Sequence, residues 1–171
     1  MTFFMMNFHK VVKNHIASVH IIISLFLFLI MAGTLFSCGI GIRTRSLLGG
    51  KLHFTVNISE KANRNSPIAL DLVFIYDEKL LEKLLEMPAK EWFEKREQIK
   101  RDNPEGISLD CWSWEWVPGQ NIPVQELPLK AAAEGSLIFA DYLTPGAHRN
   151  RVDPFKDITV RLLEEDFYVE N

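Results

Sequence analysis

Hydrophobic patterning divides the chain into three regimes. Residues 19–36 form an almost continuous apolar run, broken only by His20, Ser24, Gly33 and Thr34. Residues 39–50 (GIGIRTRSLLGG) carry no period. From Lys51 the pattern becomes period two: Leu52, Phe54, Val56 and Ile58 alternate with Lys51, His53, Thr55, Asn57 and Ser59. Such alternation predicts a half-buried strand, because successive side chains on a strand point to opposite faces. The polar stretch 60–67 (EKANRNSP) predicts a loop, its proline keeping Ser66 out of helical space. Residues 68–76 predict a second strand, with Ile68, Leu70, Leu72, Phe74 and Tyr76 on one face and Ala69, Val73 and Ile75 on the other. Both faces are apolar towards its end, so this strand is expected to be central and covered on two sides.

The period changes to 3.6 at Asp77, which predicts a helix N-cap. Leu80, Leu81, Leu84 and Leu85 then recur at helical spacing. Met87 and Pro88 break and restart the helix, with proline in its first turn. The charge run that follows reads as a solvated helical face ending at Asp102, and residues 103–106 (NPEG) close the excursion as a turn. Alternation returns over 108–117 (SLDCWSWEWV), setting Trp112, Trp114 and Trp116 opposite Leu109, Cys111, Ser113, Glu115 and Val117. Pro123 and Pro128 flank a short extended edge segment, residues 136–143 predict another strand, and residues 158–162 and 167–169 predict one or two closing strands. Short strands joined by Pro and Gly turns, with one helical insertion after the second strand, predict a mainly β chain folded as a β-sandwich.

The apolar run sets the expectation for the N-terminus. It ends in Leu35-Phe36-Ser37-Cys38, which reads as a bacterial lipobox: the Cys38 thiol is the group acylated, Ser37 is the small residue before the cut, and Leu35 fills the upstream apolar position. Lys10 and Lys13 precede the run and the first carboxylate of the chain is Glu60, the charge order of an export signal. The expected organisation is a lipoprotein signal peptide over 1–37, the acylated cysteine and a flexible tether over 38–50, and a β-sandwich domain over 51–171 with its helical insert at about 78–102. Two other readings of the run are an uncleaved membrane helix, for which residues 19–36 are at the lower limit of spanning about 30 Å of hydrocarbon, and a buried core helix. Gly39 rather than Asp after the cysteine points to the periplasmic face of the outer membrane, with acyl chains as the attachment.

Composition adds exclusions more than chemistry. Without residues 1–37 the chain carries 17 basic against 22 acidic residues, no surplus that would attract nucleic acid. Cys111 is the one cysteine besides Cys38, so no intrachain disulfide is expected, and its apolar neighbours make it a small buried hydrophobe rather than a catalytic thiol. His53 and His148 lack metal-site spacing. A nucleophilic set of serine, His148 and Asp141 or Asp153 lacks a Gly-x-Ser-x-Gly turn, and no glycine-rich phosphate loop occurs. No catalytic residue, metal or cofactor is therefore expected, beyond the covalent lipid on Cys38. Residues 146–153 (GAHRNRVD) form the most polar constellation and read as an Arg-to-Asp latch within the domain or as a docking loop. The three tryptophans read as filling between a sheet and the helical excursion, or as a stacking platform for a ligand.

Taken together, the lipobox, the glycine-rich tether, the Asn- and Ser-rich loop ending in Ser66-Pro67 and the strand Ile-x-Leu-x-Leu-Val-Phe-Ile-Tyr resemble the outer-membrane lipoprotein of type VI secretion systems, the TssJ type. Val117-Pro118-Gly119 and Leu137-Ile138-Phe139-Ala140-Asp141-Tyr142 ahead of an Arg-bearing loop are similar too. The resemblance spans roughly residues 38–169, and this chain departs from it in a longer charged helical arm over 78–102 and a compact loop over 60–67. It implies a transthyretin-like β-sandwich, non-enzymatic, hanging from the outer membrane by acyl chains and binding the periplasmic part of the inner-membrane TssM-type subunit. It further implies that the loop between the first two strands makes much of that contact, which places Asn63, Arg64, Asn65 and Ser66 at the partner.

Two other functions fit the same residues. A pilotin escorting a secretin would use Leu80, Leu81, Leu84, Leu85 and Trp92 as an open groove. A periplasmic ligand-binding lipoprotein would use Trp112, Trp114 and Trp116 in an open cleft. Exposure of those side chains discriminates, and burial of both sets favours the scaffold.

Overall fold

The computed structural model describes residues 44–170 and the isolated positions 24 and 41. The expected signal peptide over 1–37 and the lipidated Cys38 lie outside the described residues, as does most of the expected tether.

Period-two alternation from Lys51 onward becomes strand structure almost wherever it occurs. The strands are β1 (Lys51–Ile58), β2 (Ile68–Ile75), β3 (Leu109–Trp116), β4 (Gln125–Pro128), β5 (Gly135–Ala140), β6 (Arg149–Val152), β7 (Ile158–Leu162) and β8 (Phe167–Glu170), with helices α1 (Glu78–Glu86) and α2 (Ala89–Asp102) between β2 and β3. They form two four-stranded sheets, ordered β4-β1-β7-β8 and β3-β2-β5-β6. Every pairing is antiparallel except β1 with β7, which run parallel with Phe54 opposite Ile158 and Ile58 opposite Leu162. The expected mainly β sandwich with a helical insertion after the second strand is the fold.

The sheets enclose one core, built from Leu52, Phe54 and Val56 of β1, Leu70, Leu72 and Phe74 of β2, and Val160 and Leu162 of β7. A second core lies on the outer side of the β2-bearing sheet, where Val73, Ile75, Leu137 and Phe139 meet Leu80, Leu81, Leu84, Trp92 and Ile99 of the helices. β2 is thus central and covered on both faces, as its sequence predicted. Asp77 caps α1 by accepting from the Leu80 N–H at 2.8 Å, and extended Pro88 separates the helices.

One carboxylate fixes how the helices sit on the sheet. Asp71, on the helix-facing side of β2, is fully buried. It accepts from Trp92 Nε1–H at 2.8 Å and from Arg96 at 3.0 and 3.1 Å. The Trp92 ring stacks on Phe139 with 4.8 Å between centroids. Sequence reading passed over Asp71, although a lone acid on an otherwise apolar face needs a partner.

The structure corrects three details. The tryptophans do not fill space under the helices: Trp112, Trp114 and Trp116 face the opposing sheet, Trp114 stacking on Phe54 at 5.2 Å and Trp116 on Trp114 at 5.4 Å, while Trp112 meets Phe74 edge-on. Residues 149–152, read as part of a loop or latch, are edge strand β6, hidden from pattern reading because only Val152 is buried. The end of the expected tether is ordered. Residues 44–47 are helical and finish in a Schellman cap, Gly50 N–H donating to Arg45 O at 2.8 Å and Gly49 N–H to Ser46 O at 3.1 Å. Gly49 has φ +74°, and a Cβ on Gly50 would meet Arg45 O at 2.6 Å. Both glycines serve the cap, not flexibility.

Candidate partner-binding surface

Strand direction gives the sandwich two unlike poles. The chain enters β1 at one pole, and the β1–β2, β3–β4, β5–β6 and β7–β8 connections gather at the other. The loop named from the sequence, residues 60–67, stands at this second pole and is its most tightly built part.

The backbone there does something few side chains tolerate. Asn63, Arg64 and Asn65 have φ of 47°, 53° and 62°, three successive left-handed residues, each costing about 1–2 kcal/mol for a residue with a Cβ. Asparagine accepts that region more readily than most residues, which accounts for the Asn-x-Asn spelling. Hydrogen bonds from every side hold the turn: Asn63 N–H donates to Leu163 O at 3.0 Å, Arg64 N–H to Glu164 O at 3.1 Å, and Ser66 N–H back to Asn63 O at 3.0 Å. The Asn63 side chain is the pin. It is 1% exposed, donates from Nδ2 to Pro67 O at 2.8 Å and accepts at Oδ1 from Leu143 N–H at 2.7 Å.

Of the four loop residues nominated from the sequence, the structure therefore separates roles. Asn63 faces inward and shapes the loop. Arg64 and Asn65 are exposed and Ser66 is half-buried, and Arg64 reaches Glu165 of the β7–β8 turn at 3.3 Å.

Neighbouring connections are locked to one another in the same way. Tyr142 Oη–H donates to Leu163 O at 3.2 Å and Thr144 Oγ1–H to Glu165 O at 2.5 Å. His148, 8% exposed, places Nδ1 2.9 Å from Asp166 and Nε2 2.8 Å from Thr144 O, with its ring stacked on Tyr142. The expected Arg-to-Asp latch is thus replaced by a His148–Asp166 one. Arg149 donates instead to Met87 O at 3.1 Å, tying β6 to the helices. Burial pushes the Tyr142 hydroxyl well above its ordinary pKa, so it stays a neutral donor. Leu143 and Leu163 stand exposed on this framework, and Leu143 lines a cavity of about 520 Å³ with Lys90, Tyr142, Thr144, Pro145 and His148. Sequence reading missed both leucines, since an exposed apolar residue in a turn has no periodic signature.

The other candidate residues are spent on packing. Leu80, Leu81, Leu84 and Trp92 are buried under the helices and Leu85 is half-buried, so they offer no open groove. Trp116 is buried, and Trp112 and Trp114 are half-buried against Phe74 and Phe54. Cys111 is a free thiol that burial pushes up to about 12, away from nucleophilic use. His53 pairs with Asp157 on the surface. Among the described residues no group of histidine, cysteine and carboxylates is placed to hold a metal ion, and no helix is long and apolar enough to cross a membrane.

No family model matches the sequence, and no curated protein matches it. Solved structures do. The type VI secretion lipoprotein TssJ1 from Pseudomonas aeruginosa superposes with a TM-score of 0.54 at 12% identity, covering 71% of this chain and 95% of that one. This chain has the TssJ fold. Serratia marcescens Lip, a membrane-bound component of the type VI secretion system, matches with a TM-score of 0.54 at 10% identity over 72% of this chain and 97% of its own. A chain from the structure of the TssM C-terminal domain of EAEC matches with a TM-score of 0.52 at 14% identity, over 71% of this chain and 98% of that one. At such identities the kinship is one of fold.

Proposed function

We propose that this chain is a non-enzymatic lipoprotein of a type VI secretion membrane complex, held at the periplasmic face of the outer membrane through Cys38. Its loop pole binds the periplasmic domain of a TssM-type inner-membrane subunit. The observation that carries the reading is the left-handed turn at Asn63, Arg64 and Asn65. Strain of this kind persists only where surrounding structure over-determines it, and it concentrates at functional sites. Here it lies on a fold shared with secretion lipoproteins, at the pole opposite the one where the chain enters β1. A rigid, pre-shaped loop loses little conformational entropy on binding, which suits an adaptor that must carry load between two membranes. Burial of the leucines and of Trp92 argues against the pilotin reading, and the stacked tryptophans argue against ligand binding.

The test uses the tagged full-length chain, captured from cells solubilised in mild detergent beside an Arg64→Glu/Asn65→Gly variant. Co-purification of the TssM-type subunit with the native chain and its loss from the folded variant is the expected result. Equal recovery from both would move the contact off the loop, and recovery of a secretin instead would favour the escort reading.

A further inference from the structure

The entry pole carries an apolar patch that the fold itself does not use. Leu47 is 87% exposed, Leu48 82% and Ile107 73%, values uncommon for leucine and isoleucine standing close together on a folded surface. Ile107 and Ser46, the residue before Leu47, line one cavity of about 350 Å³ together with Tyr76, Gly106, Leu129 and Ala131. The leucines are not loose. Ser46 Oγ–H donates to Leu129 O at 2.8 Å and its oxygen accepts from Ala131 N–H at 3.3 Å. Together with the Schellman cap, these bonds fix the turn that presents Leu47 and Leu48. On the other wall, Gly106 N–H donates to the Asp110 carboxylate at 2.9 Å, which steadies the turn bearing Ile107.

Chain length says what covers this patch. Thr44 follows Cys38 by only six residues, a reach of at most about 20 Å even when fully extended. Whether the leader is cleaved at a lipidated cysteine or retained as a membrane helix, the pole that begins at Thr44 is held close to a bilayer. Exposed Arg45, whose guanidinium donates to Lys51 O at 3.0 Å, stands two residues before Leu47 and adds a positive charge beside the patch. We propose that the entry pole rests on the lipid surface, with Leu47, Leu48 and Ile107 immersed at the headgroup–acyl boundary. The folded body thus supplies a second membrane contact next to the covalent one. This inference rests on the membrane-anchor reading of residues 1–38. Two attachments side by side orient the sandwich, as one flexible tether does not, and point the loop pole away from the bilayer.

The experiment uses the full-length chain reconstituted in vesicles of phosphatidylethanolamine and phosphatidylglycerol containing headgroup-nitroxide lipid. A bimane fluorophore is placed at Ile107→Cys, or at Glu164→Cys on the loop pole, in a Cys111→Ser background. The protein used is one whose Cys38 thiol mass spectrometry shows to be blocked by its lipid, or one with Cys38→Ser added where the leader is retained. The label at 107 is expected to shift blue and lose most of its emission to the nitroxide, the label at 164 to do neither. Adding Leu47→Glu and Leu48→Glu, both at exposed positions, is expected to restore most of the emission at 107. Vesicle-bound protein with equal, unquenched emission at both sites would overturn the lipid contact while leaving the anchor intact. Blue-shifted but unquenched emission at 107 would place a protein there and overturn it as well. Protein that does not float with the vesicles would overturn anchor and contact together.

Discussion

Asn63 concentrates the account at the scale of a single residue. Its side chain satisfies the Leu143 N–H and the Pro67 carbonyl inside a turn that is costly by itself. Asn63→Ala leaves both groups without their partner in a part-buried setting, at up to about 1–3 kcal/mol for a group that water does not reach. Chemical denaturation should show a loss of about 2 kcal/mol or more. Arg64→Gly probes the strain with the opposite sign, because glycine occupies the left-handed region freely and the exposed Arg64–Glu165 pair contributes little. That variant should be as stable as the native chain or more so, while binding its partner less well. The sequence made the loop legible through Asn-x-Asn-Ser-Pro. What it withheld was the division of labour, since an asparagine aimed inward and one aimed outward are spelled alike.

Among the elements, the helical layer depends on one buried charge. Arg96 and Trp92 both donate to Asp71, so Arg96→Met removes the countercharge and leaves a carboxylate in the core. Breaking one side of a buried pair costs about 3–5 kcal/mol. Thermal or denaturant melting should show a loss of that order, and the double variant Asp71→Leu/Arg96→Met should recover most of it. The helices themselves were plain in the sequence: Asp77 as cap, the leucine stripe and the break at Pro88 all stand where the pattern put them. Strand β6 was not, because an edge strand spelled Arg-Asn-Arg-Val buries too little to show a period. The parallel pairing of β1 with β7 was beyond pattern reading too, since periodicity marks strands but not their neighbours. The Gly49-Gly50 pair was misread for a related reason: glycine spells a cap and a flexible linker with the same letters.

For the whole molecule, one carboxylate at the entry pole ties stability to pH. At the entry pole, burial pushes the Asp110 carboxyl up, but hydrogen bonds from Tyr76 and Lys130 outweigh it and hold the group below the usual carboxylate range. Tyr76 donates at 2.7 Å and Lys130 lies at 2.9 Å. A depressed carboxylate contributes stability above its unfolded pKa of about 3.9, and that contribution fades as pH falls further, through the folded value. The melting-temperature penalty of Asp110→Asn should therefore be full at neutral pH and shrink below about pH 4.

A polar architecture, with membrane attachment at one end and a pre-shaped loop at the other, is the central claim. Its most direct test is site-specific photo-crosslinking in the native host, with a photoreactive residue at Asn65 on the loop pole or at Lys95 on the outer face of α2. Crosslinking of the Asn65 probe to the TssM-type subunit, with none from Lys95, is the expected result. The same crosslink from Lys95 alone, or crosslinks from Asn65 only to a secretin, would contradict the account.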